Sequence, residues 1–204
     1  MPPQPSEEGL LTEKAFLIGR MKMRIESKRL VITEMTVDMA EDVHRNSLDE
    51  DVRRYVPDEV FETPEEARET IEFIRSRYGS AEGPLIYAVI MKDTGKNIGY
   101  VQLVPMEEGS WEIGYHIAKA YTGVGFATEA VKAFLPAVTE LVGIREVYGI
   151  CLSENTASER VLEKCGFTVF FRGEGAYQNR ISEICKSIWK REAADRSGCS
   201  RSAQ

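Results

Sequence analysis

The segment Thr122-Gly123-Val124-Gly125-Phe126-Ala127-Thr128-Glu129-Ala130 concentrates more chemistry than any other stretch of the chain. Two glycines straddle one residue between a strand-like run and the start of a helical one. Glycine turns tightly and lets an anion approach bare backbone N–H groups. A helix behind such a turn leaves its first N–H groups unpaired and aims its positive dipole end at the same spot. Together these make a cradle for a phosphate or pyrophosphate, although a plain turn has the same spelling. No Gly-Lys-Ser/Thr follows, so the segment is not a P-loop. The third glycine of a dinucleotide fingerprint falls on Thr128, and several β-segments precede it, which excludes that motif too.

The second motif is Asn155-Thr156-Ala157-Ser158-Glu159-Arg160-Val161-Leu162-Glu163-Lys164-Cys165-Gly166-Phe167. Locally it is a well-built helix. Asn155 can cap the start, Ala157, Val161, Leu162 and Cys165 form the apolar face, Gly166 suits a left-handed stop, and Phe167 begins a strand.

Elements must hold these motifs in place. Leu30, Ile32 and Met35 alternate as a strand does, and Thr36 can cap a helix in which Met39, Ala40 and Val43 share a face. Thr63-Pro64-Glu65-Glu66 starts a further helix, continued by Ala67, Ile71 and Ile74 to about Tyr78, with Gly79 as the stop. Strands are expected at Leu85–Met91, Ile98–Val104 and Trp111–Ala118, joined by turns at Asp93-Thr94-Gly95-Lys96 and Glu107-Glu108-Gly109-Ser110. A helix is expected from about Gly123 to Leu141, with Pro136 kinking or breaking its last turns. Strands at Val147–Leu152, Phe167–Phe171 and Ile181–Trp189 complete the reading. Hairpins followed by strand–helix–strand units indicate a single mixed α+β or α/β domain over residues 25–192. Residues 1–24 read as a peripheral extension and 193–204 as a flexible polar tail.

The chain has 204 residues, 43% hydrophobic and 29% charged, with a net charge of −7. That balance excludes a membrane bundle and gives no basic excess for a nucleic acid. No apolar run approaches the ~20 residues of a membrane span, and the Pro- and Glu-rich start is unlike a signal peptide. Cys151, Cys165, Cys185 and Cys199 form no C-x-x-C pair and stand apart from His44 and His116, so no metal is expected. Buried thiols and a cytoplasmic location fit this pattern. Oligomeric state stays open between monomer and homodimer.

The order of elements and the two motifs resemble the GNAT N-acetyltransferases, most closely the branch of the ribosomal-protein N-terminal acetylases RimJ and RimL and the spermidine acetylases. Ser27-Lys28-Arg29-Leu30, Tyr55-Val56-Pro57 and Glu112-Ile113-Gly114-Tyr115 match that branch as well. The resemblance implies a central, mostly antiparallel twisted sheet flanked by helices, and acetyl-CoA as donor to an amine acceptor. It implies that Thr122, Gly123, Val124, Gly125, Phe126, Ala127 and Thr128 hold the pyrophosphate. Ile117 and Ala118, where a neighbouring strand splays away, would pair with the pantetheine arm, and Asn155 and Ser158 would meet that arm from the far side. Two positions depart from the family pattern: Thr122 replaces a glutamine or arginine, and Leu162 replaces the tyrosine that usually protonates the leaving thiolate.

An amine acceptor must be neutral to attack. A lysine-type ammonium (pKa ~10.4) needs more help losing its proton than a protein α-amine (~8). Glu112 stands where some family members carry a catalytic glutamate and is the expected base, through water. His116 alternates with Glu112 and Gly114, should face the same side, and could share the role. Ser158 could protonate the thiolate in place of the missing tyrosine. Cys165 reads as core, which favours direct transfer over an acyl-enzyme. Tyr177, Gln178 and Asn179 would shape the acceptor pocket. A second reading, a non-catalytic acyl-CoA-binding or sensor domain, follows from Thr122 and Leu162.

Overall fold

The computed structural model describes residues 23–78, 83–178 and 180–191. Eight strands form one sheet: β1 (Arg24–Glu26), β2 (Leu30–Glu34), β3 (Leu85–Met91), β4 (Asn97–Pro105), β5 (Trp111–Ile117), β6 (Glu146–Leu152), β7 (Thr168–Tyr177) and β8 (Arg180–Lys190), in the order β1-β2-β3-β4-β5-β6-β8-β7. Neighbours are antiparallel except β5 and β6, which run parallel and register through Glu112 and Tyr148. Five α-helices accompany the sheet: α1 (Ala40–Ser47), α2 (Glu50–Tyr55), α3 (Pro64–Arg77), α4 (Phe126–Val142) and α5 (Thr156–Lys164).

Strand parity explains why helices cover both faces. On β3, Leu85, Tyr87 and Val89 point one way, into a core shared with Ala130, Val131, Phe134 and Val138 of α4. Ile86, Ala88 and Ile90 point the other way, against Ala40 of α1 and Ala67, Ile71 and Ile74 of α3. Each neighbour flips face because successive side chains alternate across a strand. Phe134 is fully buried, its ring centroid 5.6 Å from that of Tyr87. Phe134→Ala should cost about 3–5 kcal/mol through lost burial and the cavity left behind. Urea unfolding monitored by circular dichroism would show this as an earlier midpoint with an unchanged slope.

Thr63 caps α3 by accepting the Glu66 N–H at 3.2 Å, and Glu66 accepts the Glu62 N–H at 2.8 Å. Gly79 lies outside the described residues. Three expectations need correction. Thr36 occupies an N-cap position, but its side chain makes no capping hydrogen bond. Helix α4 runs on through Pro136 to Val142. Pro136 and the Lys132 carbonyl that loses its partner both sit on the solvent side, where water can satisfy that oxygen. Strand β7 extends six residues past Phe171 although its side chains are mostly exposed, because it is held by backbone pairing with β8 rather than by apolar alternation. A Cβ on Gly175 in that stretch would lie 2.5 Å from Ile184 Cδ1. Close approach of the two strands requires the glycine. Helix α2 has no apolar periodicity, and no helix was expected over those residues.

Candidate active site

The turn before α4 has the expected geometry. Gly123 and Gly125 adopt φ of +79° and +88°, a region that costs L-residues energy, and no atom lies within 4 Å of where a Gly123 Cβ would stand. Gly125 is the N-cap, and the first intrahelical backbone bond is Glu129 N–H to Gly125 C=O at 3.0 Å. The N–H groups of Gly125, Phe126, Ala127 and Thr128 are therefore left at the open end of the helix. Thr122 turns its hydroxyl away, donating to Lys119 C=O at 2.9 Å, and so does not replace the family's longer side chain.

Arg29 also serves this loop, a contact the sequence motif alone did not reveal. From the start of β2 its guanidinium bonds Glu129 Oε2 at 2.6 Å and Val124 C=O at 3.1 Å, and stacks 4.2 Å above the Phe126 ring. The Arg29 N–H and the Ser27 hydroxyl both donate to Glu129 Oε1. Burial pushes the Glu129 carboxyl up, but these donors outweigh it and hold it below its ordinary value. The pair thus ties the loop and the first turn of α4 to the sheet. Ser27-Lys28-Arg29 was visible as a family match; its function required the fold, since 100 residues separate Arg29 from Glu129.

β6 pairs with β8 along its whole length but registers with β5 only at Glu112 and Tyr148, and beyond that point a gap opens along the edge of β5. Backbone parity decides which groups face it. The His116 carbonyl points at Gly99 of β4, and the Ala118 N–H donates to Ile98 C=O at 2.8 Å. Tyr115 and Ile117, of opposite parity, present their N–H and C=O to the gap. Ala118 is spent, since its carbonyl also accepts the Tyr121 N–H at 2.8 Å. Of the expected pair, Ile117 keeps free backbone groups and Ala118 does not.

Across the gap, Asn155 caps α5 by accepting the Ser158 N–H on Oδ1 at 3.0 Å. This fixes the amide and leaves Nδ2 as a donor. Tyr115 Oη lies 2.9 Å from Ser158 C=O and 2.8 Å from Ser158 Oγ. With the phenol proton given to the carbonyl, the Ser158 hydroxyl donates to Tyr115 Oη and can redirect that proton to a ligand in the gap. Burial raises the Tyr115 pKa, so the phenol stays protonated. Tyr115 therefore brings a phenol to the region left apolar by Leu162, which is buried against Gly149.

Glu112 occupies the β5 side opposite Trp111 and Ile113, together with Gly114 and His116. Burial raises its carboxyl to about 7, while the Ile150 backbone amide and the Lys186 ammonium pull the other way. His116 shares that face, but four residues of strand separate it from Glu112 by roughly 13 Å. Its ring packs 5.9 Å from Tyr100, and burial pushes its pKa down against the pull of Asp49 and Asp51. It is a neutral imidazole in a different part of the cleft.

Two residues enter from outside the motifs. Tyr177 closes the face from the β7–β8 turn, its hydroxyl 3.4 Å from the Tyr55 carbonyl, and burial raises its pKa to about 12 with Glu112 and Glu59 adding to the effect. Glu59, just past α2, accepts a long 3.4 Å hydrogen bond from Gln102. Nothing in the spelling of Tyr55-Val56-Pro57-Asp58-Glu59 marks that carboxylate as buried. Asn179 lies outside the described residues. Cys151, Cys165 and Cys185 are buried and free, and burial lifts Cys165 to about 11, which removes it as a nucleophile. Cys199 lies outside the described residues. Among those residues no cluster could hold a metal ion, and no helix is long and apolar enough to cross a membrane.

Known proteins share this architecture. Residues 29–168 match the model for the acetyltransferase (GNAT) domain. YnaD, an uncharacterized N-acetyltransferase of Bacillus subtilis, is 29% identical over 160 residues, covering 78% of this chain and 88% of that protein. The crystal structure of a GNAT-family acetyltransferase from Bacillus anthracis superposes with a TM-score of 0.70 at 26% identity, over 82% of this chain and 98% of that one. RimL, the ribosomal L7/L12 α-N-protein acetyltransferase solved with coenzyme A, shares the fold with a TM-score of 0.72 at 16% identity, over 83% and 98%. A glycine turn capping α4, a parted β5–β6 edge and a domain match over more than half the chain lead to one assignment: this protein belongs to the GNAT family of N-acetyltransferases.

Proposed function

We propose that the chain moves the acetyl group of acetyl-CoA directly to a primary amine, with Glu112 as base and Ser158 as the hydrogen-bond donor to the departing sulfur. The observation that carries this reading is the position of Glu112, a buried carboxylate at the point where β5 and β6 part. The residues present suit the donor molecule. The glycine turn offers four backbone N–H groups to a pyrophosphate, and Lys132 and Lys164 flank the open depression beyond Gly125. Ile117 and Tyr115 offer edge backbone to an extended amide arm, and Asn155 Nδ2 faces it.

When bound, acetyl-CoA supplies an acyl carbon activated by a thioester. Glu112 draws the proton from the amine as the C–N bond forms, and a pKa near 7 leaves a useful fraction of base at neutral pH. As the C–S bond breaks, the Ser158 hydroxyl, held in line by Tyr115, donates a hydrogen bond to the departing sulfur, and a solvent proton completes the thiol while Glu112 returns its proton to solvent. The products are an amide and free CoA thiol. A carboxylate base at the gap and the Tyr115–Ser158 hydroxyl pair across it support turnover over a purely acyl-CoA-binding role. The RimJ/RimL-like branch and a cytoplasmic setting fit this reading.

Free-thiol release with acetyl-CoA and a panel of amines tests it, alongside calorimetric titration of acetyl-CoA. Thiol release that depends on an amine is expected; no binding and no release with any amine would overturn the reading. Arg29→Ala should raise the KM for acetyl-CoA roughly fivefold, about the worth of one partly exposed ion pair, with a smaller change in kcat. Arg29→Lys should recover part of the loss. Saturation curves at fixed amine separate the two parameters.

A further inference from the structure

On the Glu112 side of the sheet, a cavity of about 210 Å³ opens between the sheet, α1 and α3. Its body is apolar, with Val43, Ile71 and Ile86 among its walls, and its polar end carries Glu59, Gln102 and His116. Its charge is one-sided: Asp58 and Glu59 line it, and no described Lys or Arg does. His116 cannot compensate, because burial keeps it neutral.

Glu59 is incompletely satisfied. Gln102 reaches Oε1 at the long distance of 3.4 Å, and Oε2 is buried with no hydrogen-bond partner. A buried carboxylate oxygen without a donor is costly and rare. Burial raises the Glu59 pKa to about 7, as expected for a charge lacking its counter-ion.

Gln102 also places Glu59 relative to the reacting edge. It pairs in register with Gly114, and a Cβ on Gly114 would meet Gln102 Nε2 at 2.5 Å, so the amide lies directly over that glycine. Gly114 is two residues from Glu112 on the same face, roughly 7 Å along the strand. Tyr177 lies within electrostatic reach of both carboxylates. Glu59 lines the cavity, whereas Glu112 stands outside its lining, farther along the same face of β5 past Gly114.

We propose that this cavity is the acceptor subsite for a compact organic cation, a primary amine on an uncharged apolar body, whose nitrogen donates to the free Glu59 oxygen. The proposal rests on the acetyltransferase reading above and specifies its acceptor. Volume sets the size. A cavity of ~150 Å³ holds benzene, so this one takes roughly eight non-hydrogen atoms. The apolar walls set the body: a second ammonium carried along Val43, Ile71 and Ile86, away from Asp58 and Glu59, would be buried without a partner. A polyamine is therefore disfavoured, and a peptide could place only one side chain there. The acceptor's ammonium is the cation that the cavity lacks; it releases one proton to solvent to become the attacking amine, and Glu112, farther along the same strand face, takes the second as the C–N bond forms.

Two measurements on the full chain test this separately from the acetyltransferase reading. Calorimetric binding of benzylamine and n-hexylamine, without acetyl-CoA, is compared for the wild type, Glu59→Gln and Val43→Phe. Thiol release is then followed with acetyl-CoA and benzylamine, n-hexylamine, spermidine or a free-N-terminus hexapeptide. Glu59→Gln keeps the shape and removes a charge-assisted bond, so roughly a 10- to 100-fold weaker affinity is expected. Val43→Phe fills the cavity, and a loss of at least tenfold is expected while acetyl-CoA affinity stays within twofold. The two monoamines should exceed spermidine and the peptide in kcat/KM by at least tenfold. Peptide or spermidine turnover matching that of the monoamines would overturn the subsite and leave the acetyltransferase reading standing. Monoamine binding unaffected by both substitutions would also overturn it. Absence of acetyl-CoA binding and of thiol release would overturn the acetyltransferase reading, whereas monoamine binding lost in both variants would still support the cavity.

Discussion

Glu112→Gln should lower kcat by about 10²- to 10⁴-fold, the usual worth of a positioned general base, and leave acetyl-CoA affinity nearly unchanged. Glutamine keeps the shape and the contact with the Ile150 amide but cannot take a proton. The pH profile offers the finer check. Because burial raises the Glu112 carboxyl to about 7, the active base forms as pH rises through that value. Wild-type kcat/KM should climb between pH 6 and 8, and the Gln variant should lose that limb. The same shift has an opposite consequence for stability. Glu112 and Glu59 both hold their protons more tightly in the folded state than in the unfolded chain, each near 7. The folded state therefore binds more protons between their ordinary values and 7, and stability falls as pH rises through that window. Thermal melts should show a lower Tm at pH 8 than at pH 5.5, with Glu112→Gln flattening part of the slope. A profile in which activity and stability rise together would count against a buried catalytic carboxylate.

Gly125→Val should weaken acetyl-CoA binding by about 100-fold. Gly125 sits at φ +88° with Arg29 Nη2 3.7 Å from the would-be Cβ, so space is not the obstacle. The obstacles are the left-handed backbone, which a β-branched residue resists, and a side chain standing over the open N–H groups. Some stability will be lost too, about 2–4 °C in Tm per kcal/mol for a chain of this size. Gly143→Val separates the effects, since Gly143 is left-handed at φ +80° at the opposite end of the same helix. It should lower Tm comparably and leave acetyl-CoA affinity within twofold, as read by calorimetry. Equal loss of affinity in both variants would mean that the turn acts only through stability.

Local rules carried the reading where local forces decide. The glycine turn, the Asn155 and Thr63 caps and the alternating strands β3 to β5 are set by neighbours in sequence, and all stand where spacing placed them. The misreadings share another cause. Pro136 was expected to break α4, but the exposed face of a helix tolerates a lost hydrogen bond. The second half of β7 has no apolar rhythm because its strand is fixed by backbone pairing to β8. The site's further parts depend on chain crossings that no local pattern records: Arg29 reaches Glu129, Tyr115 reaches Ser158, and Gln102 meets Glu59. Strand parity was legible for Glu112 and His116, yet the 13 Å implied by their spacing already separates them. The edge at Ile117 and Ala118 was expected from the family resemblance alone; Ile117 keeps its free backbone groups, whereas Ala118 is consumed by a turn visible only in three dimensions.

The central claim is that Glu112 at the parted β5–β6 edge drives acetyl transfer to an amine. It is tested most directly by free-thiol release with saturating acetyl-CoA and benzylamine at pH 8, wild type beside Glu112→Gln. Amine-dependent release in the wild type, reduced 100-fold or more in the variant with acetyl-CoA binding intact, is the predicted result. Release at equal rates in both proteins, or none in the wild type with any amine, would contradict the claim.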